Sequence, residues 1–134
     1  MREFSFNSRH DGLRIACANC SAENPRAALV IVHGMAEHKE RYYPFMEYLS
    51  QHGIASVIED HRGHGASAQA PGELGYFGEN GADGLISDIR TLAGIAAEEY
   101  HGLPLFMLGH SMGALAARTF IQTHGDMLSG LMIS

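Results

Sequence analysis

The chain has 134 residues, 46% of them hydrophobic, and a formal net charge of −6 with eight arginines and one lysine, Lys39. That length and apolar share suit a single folded core and exclude a disordered chain. The acidic balance, with no basic cluster, argues against nucleic acid as a partner, and the longest aliphatic run, Ala27 to Val32, is far too short to span a bilayer.

The first residues, MREFSFNSRH, mix charged and aromatic side chains and hold no apolar signal core. The expected location is the cytoplasm, with peripheral contact to a membrane surface left open. Phe4 and Phe6 alternate with polar neighbours, Asp11-Gly12 is a turn signal, and Leu13 to Cys17 alternates again, which predicts a β-hairpin. Cys17 and Cys20 form a CxxC, but no second pair completes a zinc site, and the motif ends a strand where a redox pair opens a helix. Two reduced thiols are expected, and no metal.

Ala27 to Val32 is continuously apolar, as a strand buried on both faces requires. Tyr42, Phe45, Met46 and Leu49 fall at helical spacing, with Pro44 tolerated in a first turn. Ile54 to Ile58 is a short strand. Leu85, Ile89, Leu92 and Ala96 mark a second helix; Leu105 to Leu108 is a strand; Leu115, Ala116, Phe120 and Ile121 mark a third helix; Leu131 to Ile133 begins another strand. The order β-β-β-α-β-α-β-α-β predicts an α/β fold, a mostly parallel sheet with helices on both faces and an antiparallel N-terminal hairpin at one edge. The helices are expected to stop at His52-Gly53, His101-Gly102 and His124-Gly125, with glycine in the left-handed conformation and histidine on the helix C-terminal dipole.

Gly109-His110-Ser111-Met112-Gly113 matches G-x-S-x-G between a predicted strand and a predicted helix. This is the context of a nucleophile elbow, in which the glycines let two backbones meet and the serine sits in a strained turn with its hydroxyl exposed. The bland alternative is a glycine-rich turn capped by serine. His33-Gly34-Met35 follows the buried strand, where the second N–H of an oxyanion hole is expected. The donors are assigned to the amides of Met35 and Met112. Asp60-His61-Arg62-Gly63-His64-Gly65-Ala66-Ser67 follows the next strand and reads as a loop folded by polar side chains, its glycines allowing tight turns.

The set HGMAEH (33–38), DHRGHGAS (60–67) and GHSMGA (109–114) resembles the α/β-hydrolase fold. More narrowly, it is similar to the monoacylglycerol lipase and lysophospholipase branch grouped under serine aminopeptidase S33. The resemblance covers essentially the whole chain. It implies Ser111 as nucleophile, the Met35 and Met112 amides as oxyanion donors, His33 and Gly34 as shapers of that loop, and the segment from Arg62 to Gly65, with His64, as a supporting loop. It implies esters of glycerol or lysophospholipids as substrates and no cofactor.

The family's triad runs Ser, then Asp or Glu, then His along the chain. After Ser111 stand only His124 and Asp126, in the wrong order. A helix of about 12 residues is roughly 18 Å long, so His124 lies well beyond the reach of about 3 Å that a base needs. His110 should point away from Ser111, and nothing in the spacing selects among His33, His38, His61 and His64. Acid and base are therefore expected outside this chain, and residues 1–134 read as the N-terminal half of an α/β-hydrolase domain, with a lid and further strands beyond. Related acyl-transfer or amide-cleaving chemistry fits the same elements. A separate class, a non-enzymatic half-domain that binds a lipid or protein partner, predicts that Ser111 is dispensable.

Overall fold

Two-sided burial of the central strands decides the architecture. In the computed structural model, which describes residues 1–134, six strands form one sheet: β1 (Arg2–Asn7), β2 (Arg14–Cys20), β3 (Ala27–Val32), β4 (Ile54–Glu59), β5 (Leu105–Gly109) and β6 (Gly130–Ile133). Their spatial order is β1-β2-β4-β3-β5-β6. The β1–β2 and β2–β4 pairs are antiparallel and the rest parallel, as the alternating pattern predicts. Three helices make the crossovers: α1 (Tyr43–Gln51), α2 (Gly81–Glu99) and α3 (Met112–His124).

Strand β3 shows why its sequence is unbroken by polar residues. Ala28, Val30 and Val32 pack with Leu85, Ile89 and Leu92 of α2 and Ala117 and Phe120 of α3, while Leu29 and Ile31 pack with Met46 and Leu49 of α1. Alternate side chains point to opposite sheet faces, so a strand covered by helices on both sides has no polar face. The two cysteines divide in the same way: Cys17 joins the first cluster and Cys20 the second. Both are free and buried, and burial pushes the Cys17 thiol well above its ordinary range.

Three details differ from the sequence expectation. Helix α3 buries Gly113, Ala116, Ala117 and Phe120, whereas Leu115 and Ile121 are exposed at 65% and 39%. The small residues face inward because the helix starts against β3 and has no room for larger ones there. Phe45 of α1 is likewise 39% exposed. The helix stops also split: α1 ends before a left-handed Gly53 at φ +74° as expected, α2 already ends at Glu99 with Tyr100 as its cap and the left-handed Gly102 (φ +83°) follows in the turn beyond it, and Gly125 stays right-handed at −62° and opens a 3-10 turn, Gly125–Met127. The His124 ring lies tilted against Phe120 there, 5.3 Å between centroids.

Strands β4 and β5 flank β3, so the chain passes from one side of β3 to the other between them. Loops leaving β3 and β5 diverge at such a switch point, and open α/β sheets hold ligands in that crevice. The loop after β3 carries His33-Gly34-Met35; the loop after β5 carries Ser111.

Candidate active site

Ser111 joins β5 to α3 at φ 54°, ψ −119°, a region that costs an L-residue on the order of 1–3 kcal/mol. The flanking glycines permit it. A Cβ on Gly109 would lie 2.5 Å from the Gly113 carbonyl oxygen, and one on Gly113 would collide with the Val32 and His33 carbonyls. The turn is braced from both sides: His110 N–H donates to the Val32 carbonyl (3.0 Å) and Ser111 N–H to that of Ser134 (2.8 Å). Ser111 occupies the N-cap position of α3, yet its side chain makes no capping hydrogen bond. The hydroxyl is exposed instead.

The loop after β3 runs directly beside it. A Cβ on Gly34 would sit 3.1 Å from that of Ser111 and 3.3 Å from the His110 carbonyl oxygen. The backbone of this loop is fixed group by group. Gly34 N–H donates to Glu37 Oε2 (2.7 Å), and the Gly34 carbonyl faces His33 Nδ1 (2.8 Å). Ala36, left-handed at φ +58°, donates its N–H to His64 Nε2 (3.2 Å). The amides of Met35 and Met112 take no part in the turn and cap hydrogen bonds.

Glu37 is a site residue that sequence reading missed. Its Oε2 also accepts from the Tyr42 hydroxyl (2.9 Å), and its Oε1 pairs with Arg41 Nε (3.0 Å). Burial alone would raise its pKa; the Gly34 amide and Tyr42 hydroxyl outweigh this and hold the carboxyl below its ordinary value. Its position three residues after Gly34 was the available signal, since a tight turn returns such a side chain to the preceding backbone.

The loop after β4 is packed beneath. Asp60, His61, Arg62, His64 and Ser67 are all buried. Asp60 gathers the Lys39 amide (2.6 Å) and the Ala66 amide (2.8 Å), and Gly63 and Gly65 take φ of +72° and +46°, as tight turns demand. Arg62 turns away from Ser111. It donates to Asp88 (2.9 Å), Asp11 (2.9 Å), Ser8 (3.0 Å) and the Phe77 carbonyl (2.9 Å), and so ties the hairpin and α2 to the loop. Its support is structural, whereas His64 touches the Ser111-facing loop.

The four histidines left open as partners of Ser111 are engaged elsewhere. His33 and His61 stack at 3.9 Å between ring centroids. His61 N–H donates to His33 Nε2 (3.1 Å), and His61 Nε2 meets the His33 carbonyl (3.1 Å). His64 uses Nε2 on Ala36 and Nδ1 on the Arg62 carbonyl, and His38 pairs with Glu40. His110 Nδ1 contacts the Ser134 hydroxyl (2.8 Å).

Comparison with known proteins supports the family and the fold. Residues 23–134 match the family model described as serine aminopeptidase, S33. The chain is 40% identical over 90 residues to a monoacylglycerol lipase of Mycolicibacterium smegmatis, covering 67% of this chain and 30% of the lipase. It is 32% identical over 111 residues to the human monoglyceride lipase, covering 82% and 35%. The structure superposes on a thermostable carboxyl esterase from Bacillus coagulans, crystallised with glycerol, with a TM-score of 0.91 and 36% identity over 98% of this chain and 43% of the esterase. The chain thus spans less than half the length of these relatives. With its sheet order, its strained serine and its glycine-lined turn, the chain belongs to the serine aminopeptidase S33 family and has the α/β-hydrolase fold.

Proposed function

We propose that residues 1–134 carry the nucleophile and oxyanion half of a carboxylic ester hydrolase acting on monoacylglycerol- or lysophospholipid-type esters. The observation that carries this reading is Ser111 itself: a strained backbone at φ 54° with a hydroxyl free of the cap bond that would make it a structural serine. The Ser111 oxygen attacks the ester carbonyl carbon. The carbonyl oxygen takes the negative charge and is met by the Met35 and Met112 amides, the latter at the positive end of α3. Collapse expels the alcohol and leaves an acyl group on Ser111; water then releases the acid. The Ser111 proton must pass to a base and on to the leaving alcohol, and the acid and base of the triad are assigned to residues outside 1–134. No cofactor takes part. The named lipase and esterase relatives support this substrate class, and exposed Met35, Leu74 and Tyr76 on the two neighbouring loops suit a lipid surface.

The test is labelling by a fluorophosphonate probe, read by intact mass, on the native gene product and on the 134-residue chain. Labelling of the native product that disappears in Ser111→Ala is expected. Without the triad partners, about 10³–10⁴-fold acceleration over water remains, so the short chain should label far more slowly. A native product that does not label sinks the hydrolase reading. A rival reading, a non-enzymatic half-domain that binds a lipid or protein partner, predicts that Ser111→Ala is silent.

A further inference from the structure

Glu59, the last residue of β4, is completely buried. Its Oε1 lies 3.2 Å from His61 Nδ1, and no donor of the protein reaches its Oε2. The hydrogen bonds around it fix where the protons are. His33 Nε2 accepts the His61 N–H, so the His33 ring proton is on Nδ1, where it meets the Gly34 carbonyl. His61 Nε2 faces a carbonyl, which only accepts, so Nε2 carries a proton. His61 Nδ1 is left without a proton of its own unless the ring is cationic. An ionised Glu59 at 0% exposure would need donors on both oxygens, and the protein supplies none to one of them.

We propose that Glu59 is a neutral carboxylic acid that donates its proton to His61 Nδ1, and that this bond, through His61 and His33, sets the peptide plane carrying the Met35 amide. The chain of positions is short. Glu59 holds the His61 ring; the ring holds the His33 carbonyl; His33 Nδ1–H holds the Gly34 carbonyl. In a planar trans peptide the N–H points opposite to the C=O, so pinning the Gly34 carbonyl aims the Met35 N–H away from the buried rings. Glu59 is thus a positioning residue, not a catalytic one.

The surroundings agree. Cys17 stands across the β2–β4 pair from Glu59. Burial is the main cause that raises the Glu59 carboxyl well above its ordinary value; negative Asp88 of α2 and Asp60 add to this and Arg62 opposes it. Burial likewise holds His61 neutral, helped by His33 and His64.

The consequence for Met35 rests on its role as an oxyanion donor; the proton placement does not, so the two readings fail separately. The test is a nitrogen-15 spectrum of the histidine rings and backbone amides of the 134-residue chain at neutral pH, with Glu59→Gln and Glu59→Leu alongside. His61 should show a protonated Nε2 and a bare, hydrogen-bonded Nδ1. A doubly protonated His61 ring overturns the proposal, and this needs no variant to fold. Glu59→Gln keeps an N–H donor and should leave the Gly34 and Met35 amide signals in place. A folded Glu59→Leu chain should shift both; unmoved amides there also overturn it. The fluorophosphonate result bears on Ser111 alone.

Discussion

Gly113 sits where α3 meets β3, and a methyl group there runs into the Val32 carbonyl. Backbone cannot step aside as a flexible side chain can, so Gly113→Ala is expected to cost about 3 kcal/mol, read as a lowered urea midpoint at unchanged slope. Glu59 gives a different kind of prediction. Its carboxyl is raised above the ordinary value of 4.5, so the folded chain keeps a proton that the unfolded chain loses above that pH. The stability this group contributes is full below pH 4.5 and is lost as pH rises toward its folded value. Glu59→Gln has no such loss. Its advantage over the unsubstituted chain should grow by up to about 1.4 kcal/mol per pH unit above 4.5, measured by denaturation from pH 5 to 8. His61, held neutral by burial, contributes stability that falls as pH drops through 6.5; because it contacts Glu59 its share differs between the two chains, and the slope is read from the points above pH 6.5. An advantage independent of pH would mean that Glu59 is ionised in the fold.

Among the elements, the loop after β4 joins most of the others. Arg62 reaches the hairpin through Ser8 and Asp11, and α2 through Asp88. Asp88 is fully buried, and one of its oxygens already lacks a partner. Arg62→Met should therefore cost about 3–5 kcal/mol, the usual penalty for stranding one charge of a buried pair. Arg62→Met combined with Asp88→Leu should recover part of that loss in a double-mutant cycle. Helix α3 teaches a related lesson. Leu115 and Ile121 have the hydrophobicity of core positions but face outward, because the elbow rotates the small residues Gly113, Ala116 and Ala117 onto β3. Hydrophobic spacing located this helix correctly and misplaced its inner face by roughly one position.

At the scale of residues 1–134 taken by themselves, β6 lies at one side of the sheet next to β5, with Met132 and Ile133 exposed. An apolar edge strand is a template for pairing with other chains. The 134-residue chain should associate as its concentration rises, and Ile133→Lys should suppress this, as light scattering would show. No helix of the molecule is long and apolar enough to cross a membrane.

Much of the site was legible in the residues alone. The G-x-S-x-G spacing, the strand before it and the helix after it suffice to place Ser111 and its two glycines, because close backbone approach leaves no alternative to glycine at those positions. The strand order by type, the hairpin and the burial of β3 follow from period-two and unbroken apolar patterns, which report directly on how many faces a strand hides. What needed the tertiary structure was every contact between segments distant in sequence. Glu37 on the Gly34 amide is local and was readable in principle. Glu59 beneath His61 and His33, and Arg62 drawn to Asp11 and Asp88, were not: a buried carboxyl group and a surface carboxylate are written with the same letter, and only the packing of β4 against β2, β3 and α2 decides which it is.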